Sequence, residues 1–152
     1  MKDLIGKVVL SMVLKRLSWN GESAAAAAGT YAGYDVKKRS LFSGIQGQLN
    51  LKGGPGRVVT SIEGNPASGT ERWQINADAM HVFGRESAKV TPYVGAGACV
   101  VGQEDGKGKR PGLNLFGGSR VRLGDMHFFV QMRFTFADGA HFSIAGGLRP
   151  TL

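Results

Sequence analysis

Apolar and polar residues alternate with a period of two through most of this chain. The clearest run is Met126-His127-Phe128-Phe129-Val130-Gln131-Met132-Arg133-Phe134-Thr135-Phe136, where every even position is apolar and, of the odd ones, only Phe129 is. Successive side chains of a strand point to opposite faces, so this run predicts a β-strand with one oily and one wet face. Asp138-Gly139 then turns the chain, and Phe142, Ile144 and Leu148 share one side of the next run. Strands of roughly 9–11 residues cross a bilayer when tilted. A hairpin from a soluble sandwich or barrel carries the same local pattern.

The alternation divides the chain into eight segments: residues 4–17, 24–36, 41–52, 70–83, 89–101, 111–123, 126–136 and 141–148. In the first, Leu4, Val8, Leu10, Met12 and Leu14 share a parity; an amphipathic helix is the rival there, and the valines favour a strand. The second holds five alanines of high helix propensity, yet it continues into the strand-like Gly29-Thr30-Tyr31-Ala32-Gly33-Tyr34-Asp35-Val36. The third sets Leu41, Ile45, Leu49 and Leu51 against Gln46, Gln48 and Asn50; the fourth sets Trp73, Ile75, Ala77 and Ala79 against Gln74, Asn76 and Asp78. Residues 57–62 fall inside a long connection, 53–69, as an extension of strands beyond the membrane. On this reading the connections after strands one, three and five are longer than those after two, four and six. Short turns at one end and longer loops at the other are the asymmetry of outer-membrane barrels.

The expected fold is therefore all-β: one domain over residues 1–152, an eight-stranded antiparallel up-and-down transmembrane β-barrel. A period of two does not tell inside from outside. The alternative is a soluble lipocalin-like barrel that binds an apolar ligand, with its oily face inward.

Composition narrows the picture. Glycine supplies 24 of 152 residues, about twice the usual share of roughly 7%. Without a Gly-X-Y repeat this suits tight turns and the crowded interior of a small barrel. No apolar run reaches the roughly 18 residues of a membrane helix. A net charge of +8 raises nucleic acid or anionic lipid as partners. The charges fall at predicted turns, namely Lys15-Arg16, Lys37-Lys38-Arg39, Lys107 and Lys109-Arg110, and no helix-turn-helix or RNA-binding motif accompanies them. Nucleic acid is not expected, and a solvated rim is preferred over a specific anion site. Cys99 is the only cysteine, which excludes an internal disulfide and a thiolate zinc cluster; between Ala98 and Val100 it reads as a small wall residue. His81, His127 and His141 lack metal-site spacing, so neither a metal nor a cofactor is expected. Near the N-terminus Lys15-Arg16 interrupts an apolar patch where a secretion signal would continue, so the expectation is a chain whose leader is absent or removed.

The wet face supplies candidate lumen residues. Lys15, Arg120, Arg122 and Arg133 are expected to pair inside with Asp35 and Asp78, with Gln131 on the same wall. Trp19 and Trp73 are expected at the outer rim. Tyr34 and Tyr93, with Phe42 and Phe83, are expected at the inner rim, forming two interfacial aromatic belts.

The stretches Val90-Thr91-Pro92-Tyr93-Val94-Gly95-Ala96-Gly97-Ala98, Leu113-Asn114-Leu115-Phe116-Gly117-Gly118, Phe128-Phe129-Val130-Gln131-Met132-Arg133-Phe134-Thr135-Phe136 and Phe142-Ser143-Ile144-Ala145-Gly146-Gly147-Leu148-Arg149 resemble the last four strands of small outer-membrane β-barrels of the porin family, OmpA/OmpX-like. The likeness covers residues 70–150. It implies an eight-stranded barrel, a packed polar interior and usually no enzymatic activity. With the outer-membrane reading, the chain is expected to be a monomer in the lipid bilayer of a bacterial outer membrane, with exposed basic groups touching lipopolysaccharide phosphates through charge-assisted bonds. The chain departs from the family pattern at its end, Pro150-Thr151-Leu152, where the usual terminal aromatic is missing. His141-Phe142-Ser143-Ile144-Ala145-Gly146 is similar to the His-x-Ser-x-Ala-Gly stretch of outer-membrane lipid A deacylases. It implies a histidine base beside a serine nucleophile, His141 and Ser143. No acidic residue follows to complete such a site, and polar filling of the lumen is the preferred reading.

Overall fold

The computed structural model describes residues 18–19, 22–23, 26–51, 54–65, 72–85, 87–103, 108–137 and 139–150. Eight long strands follow one another: β1 Ala26–Asp35, β2 Ser40–Asn50, β3 Gly56–Asn65, β4 Arg72–Val82, β5 Val90–Gln103, β6 Arg110–Leu123, β7 Met126–Phe136 and β8 Ala140–Pro150. Each pairs antiparallel with its neighbour in sequence, and β8 returns to β1, so the sheet closes into an up-and-down barrel. At the closing seam Ser143 stands opposite Asp35, Ile144 opposite Tyr34 and Leu148 opposite Thr30. Ser18–Trp19 and Glu22–Ser23 form a two-residue ladder outside the barrel.

The barrel is inside-out by the standards of a soluble protein. On β7, Met126, Phe128, Val130, Met132, Phe134 and Phe136 face outward, and on β8 so do Ile144 and Leu148. Leu41, Ile45, Ile75, Val94, Leu113 and Leu115 continue the band around the other strands. The most deeply buried side chains are polar: Gln48, Asn76, Asn114 and Thr91. The lipocalin-like alternative needs the opposite arrangement, with Phe128, Met132 and Phe134 in the lumen, and the structure overturns it. Monomeric soluble proteins rarely expose a contiguous apolar patch beyond a few hundred Å².

Glycine is required where rings lie flat on the inner wall. A Cβ on Gly95 would overlap the Phe116 ring, and one on Gly147 would overlap Phe129. At the tightest turn, between β6 and β7, Gly124 has φ 60°, a left-handed conformation that glycine adopts without steric cost.

One expectation about strand order is corrected, and another falls outside the described residues. Residues 4–17, read as the first strand, lie outside the described residues, as does Lys15. Residues 57–62, read as part of a long loop, belong to β3, a full member of the barrel paired with β2 and β4. Its alternation was hard to see because both faces are mixed. Arg57, Val59 and Ser61 are buried, whereas Val58, Thr60 and Ile62 face outward. With β3 in place, the connections are 36–39, 51–55, 66–71, 83–89, 104–109, 124–125 and 137–139, short at both ends. The anticipated alternation of long and short connections is absent, and the longest, 83–89, lies at the end that also holds Ala26 and Pro150. That end is called the terminal end below, and its opposite the loop end.

Candidate functional site

The centre of the lumen is a hydrogen-bonded network built from five strands. Inward positions of β4 supply Gln74, Asn76 and Asp78; β6 supplies Asn114 and Phe116; β7 supplies Arg133 and Thr135; β3 supplies Ser61 and Glu63; β1 supplies Tyr31. Arg133 Nη2 donates to Asp78 Oδ2 at 3.0 Å, and its Nη1 lies 4.0 Å from Glu63 Oε2. The Tyr31 hydroxyl donates to Glu63 Oε2 at 2.7 Å. Asn114 Nδ2 donates to Asp78 Oδ1 and to Asn76 Oδ1, at 3.0 and 2.8 Å, and Asn114 Oδ1 accepts from Thr135 Oγ1 at 3.0 Å. Gln74 donates to Asn76, which donates to Ser61. The Arg133 guanidinium also lies over the Phe116 ring, 5.3 Å from its centroid, a cation–π contact. Every one of these groups needs partners, because a polar group buried without one costs more than a made bond returns.

Above this plug, at the loop end, lies a cavity of about 60 Å³ bordered by Asp35, Lys38, Glu63, Arg72, His141 and Ser143. His141 Nδ1 is 3.8 Å from Asp35 Oδ2, and the backbone N–H of Lys38 donates to Asp35 Oδ1 at 2.9 Å. Ser143 stands opposite Asp35 on one side and Arg133 on the other. Below the plug a smaller cavity, about 20 Å³, faces the terminal end. The lumen is thus filled with side chains and small voids, the interior an eight-stranded barrel can accommodate.

The candidate lumen residues separate in this frame. Asp78 and Arg133 form the central pair. Asp35 belongs to the loop-end cavity, beside His141. Arg120 is buried near the terminal end, and Gln131, nearby, accepts from the Tyr93 hydroxyl at 3.3 Å. Arg122 is exposed at the terminal rim, its Nε donating to the Gly124 carbonyl at 3.4 Å, so it is not part of the interior network. Glu63, Asn76 and Asn114 were missed as network members. Asn76 and Asn114 stood on the wet parity of their segments and could have been found there; Glu63 was hidden by the misassigned β3.

The aromatic belts are rearranged as well. Tyr93 was expected at a membrane interface but is only 4% exposed in the lumen, edge-on to Phe116. Odd positions of β5 face inward, and Val90, Val94 and Val100 take the outer face. Phe42 also points inward, edge-on to Tyr31. Tyr34 faces outward at the loop end, on the same level as Trp73 rather than opposite it, because the added β3 reverses the sense of every later strand relative to β1 and β2. Phe83 is exposed at the terminal end. Trp19 lies in the two-residue ladder. Cys99 is buried on the lumen wall.

A closed eight-stranded antiparallel barrel, oily outside and polar within, defines the class: the chain has the architecture of the small outer-membrane β-barrels. Among solved structures it is similar to the N-terminal β-barrel domain of OprF from Pseudomonas aeruginosa, with a TM-score of 0.69 and 12% identity over 82% of this chain and 95% of that one. It is also similar to the de novo designed barrel TMB2.3, with a TM-score of 0.61 and 13% identity over 88% of this chain and 98% of that one. No protein-family model matches the chain, and no curated protein does.

Proposed function

We propose that this chain is a monomeric bacterial outer-membrane barrel with a structural or surface-interaction role, one domain whose plugged lumen does not form a wide channel. The observation that carries the reading is the continuous outward band of Phe128, Met132, Phe134, Ile144 and their neighbours around a polar core. A bilayer accepts a closed barrel because every backbone polar group is paired within the sheet. At the loop end Lys37, Arg39, Lys109 and Arg110 are exposed, and basic groups of this kind bind lipopolysaccharide phosphates through charge-assisted hydrogen bonds. The test is partition of the purified chain. It is expected to enter detergent micelles or lipid vesicles with β-type circular dichroism and a folded band that shifts on heating before electrophoresis. A protein that stays monodisperse and folded in plain buffer would sink the reading.

One observation favours an esterase as a second reading. The acid missing from the sequence after Ser143 is supplied across the closing seam, where Asp35 lies beside His141. In that reading His141 takes the proton from the Ser143 hydroxyl as it attacks an ester and hands it to the departing alcohol, leaving the acyl group on Ser143, and Asp35 orients the imidazole. Water then releases the acyl group. Ser143→Ala is expected to abolish hydrolysis of a p-nitrophenyl ester by the folded barrel. Equal rates for the variant and the parent would remove this reading.

A further inference from the structure

Where β5 begins and β6 ends, the terminal rim sets two bases side by side. Val90 pairs with Val121, and one step further out Lys89 stands opposite Arg122, whose N–H donates to the Lys89 carbonyl at 2.8 Å. Both side chains are exposed, as is Arg85 in the connection that leads into β5. Arg122 Nε donates to the Gly124 carbonyl at 3.4 Å, which holds the guanidinium against the turn into β7. His127, opposite Arg122 on β7, is buried in the lumen and has its own contacts. Like charges on directly opposed residues are destabilising. Among the described residues no carboxylate, Asp125 of the adjoining turn included, forms an ion pair with Arg85, Lys89 or Arg122.

The outer face beside these bases is apolar. Phe83, Val90, Leu123 and Met126 are all exposed there. Toward mid-depth the surface dips. On its outer face β6 carries only Gly117 and Ser119, between Val94 of β5 and Val130 and Met132 of β7. Neighbouring strands lie about 4.8 Å apart, so β5 and β7 flank a trough about 10 Å across, room for one extended hydrocarbon chain. A chain lying in it runs toward the level of Lys89 and Arg122. A phosphate at that level meets charge-assisted hydrogen bonds, forked ones from the guanidinium. A choline headgroup adds an ammonium that the two bases repel, so a headgroup of net negative charge fits better. We propose that this face binds one anionic phospholipid, its phosphate held by Lys89 and Arg122 and an acyl chain in the trough along Gly117 and Ser119. The inference rests on the membrane reading and concerns the leaflet opposite the one that meets Lys37 and Arg39.

The test is native mass spectrometry of the detergent-solubilised barrel titrated with phosphatidylglycerol or with phosphatidylcholine of the same acyl chains. Each base near a lipid surface contributes about fivefold in binding, so the first phosphatidylglycerol is expected to bind about 25-fold more tightly than phosphatidylcholine. The double variant Lys89→Gln with Arg122→Gln is expected to bring the two lipids level. The loop-end pair Lys37→Gln with Arg39→Gln is expected to keep the preference. Ser119→Phe fills the trough without touching either base and is expected to weaken phosphatidylglycerol binding. Equal binding of the two lipids by the parent overturns the proposal. So does a preference that survives the terminal pair and disappears with the loop-end pair. Circular dichroism and the heat-shifted band are recorded for every sample. A folded barrel without the preference overturns this inference alone, whereas a parent that does not fold in detergent overturns the membrane reading and this inference together.

Discussion

Replacing Arg133 by leucine is expected to cost about 3–5 kcal/mol of folding stability, the loss typical of breaking a buried ion pair by removing one partner. The side chain reaches Asp78 at 3.0 Å and Glu63 at 4.0 Å from the middle of β7. Without it, the two carboxylates lose their guanidinium partner and keep the neutral donors Asn114 for Asp78 and Tyr31 for Glu63. Denaturant titration of the barrel in detergent, followed by tryptophan fluorescence, measures the loss. The double change Arg133→Leu with Asp78→Leu is expected to recover part of it, since a pair replaced by apolar groups costs less than a pair half removed. A single variant as stable as the parent would show that the central pair contributes nothing, and that the neutral network of Asn76, Asn114 and Thr135 holds the core alone.

The second large effect belongs to the outer face. Met132 lies near the middle of β7 and is 53% exposed. In lipid, arginine at the midplane of a barrel's outer face costs about 2–4 kcal/mol, falling to about 0–1 near the interfaces. Met132→Arg is therefore expected to lose about 2–4 kcal/mol in vesicles. Leu123→Arg, at the terminal end of β6, is expected to be nearly neutral. The depth dependence is the diagnostic part, because on a water-facing surface both changes are of the same small size. Equal effects at the two positions would place the outer band in water.

These two predictions also mark where the sequence was legible. The outward row of β7 could be read directly, since its even positions are all apolar and its odd positions mostly polar. Side-chain parity on β2, β4 and β6 was equally clear, and with it the placing of Gln48, Asp78 and Arg120 inside. Legibility failed where a strand carries mixed residues on both faces. On β3 the inward row runs Arg57, Val59, Ser61, Glu63, and the outward row Val58, Thr60, Ile62, Gly64. Hydrophobicity alone assigns neither row, and only pairing with β2 and β4 does. That one omission carried with it Glu63, the loop-length argument and the relative levels of Tyr34 and Trp73. Tyr93 shows a different limit. A small barrel fills part of its lumen with rings, so a tyrosine near a strand start is not by itself an interfacial anchor.

The seam between β8 and β1 has a bearing on how the molecule is made. β1, the first barrel strand to leave the ribosome, keeps one side without its final neighbour until β8 has been synthesised. Contacts between such distant parts of a chain form slowly, after the entropy of closing the whole ring has been overcome. During that interval the Ala-, Gly- and Tyr-rich edge of β1 is a template for pairing with other chains. The nascent polypeptide therefore has a period of exposure that ends only when its last strand arrives. A holding factor that masks that edge is the simplest protection during synthesis and transit.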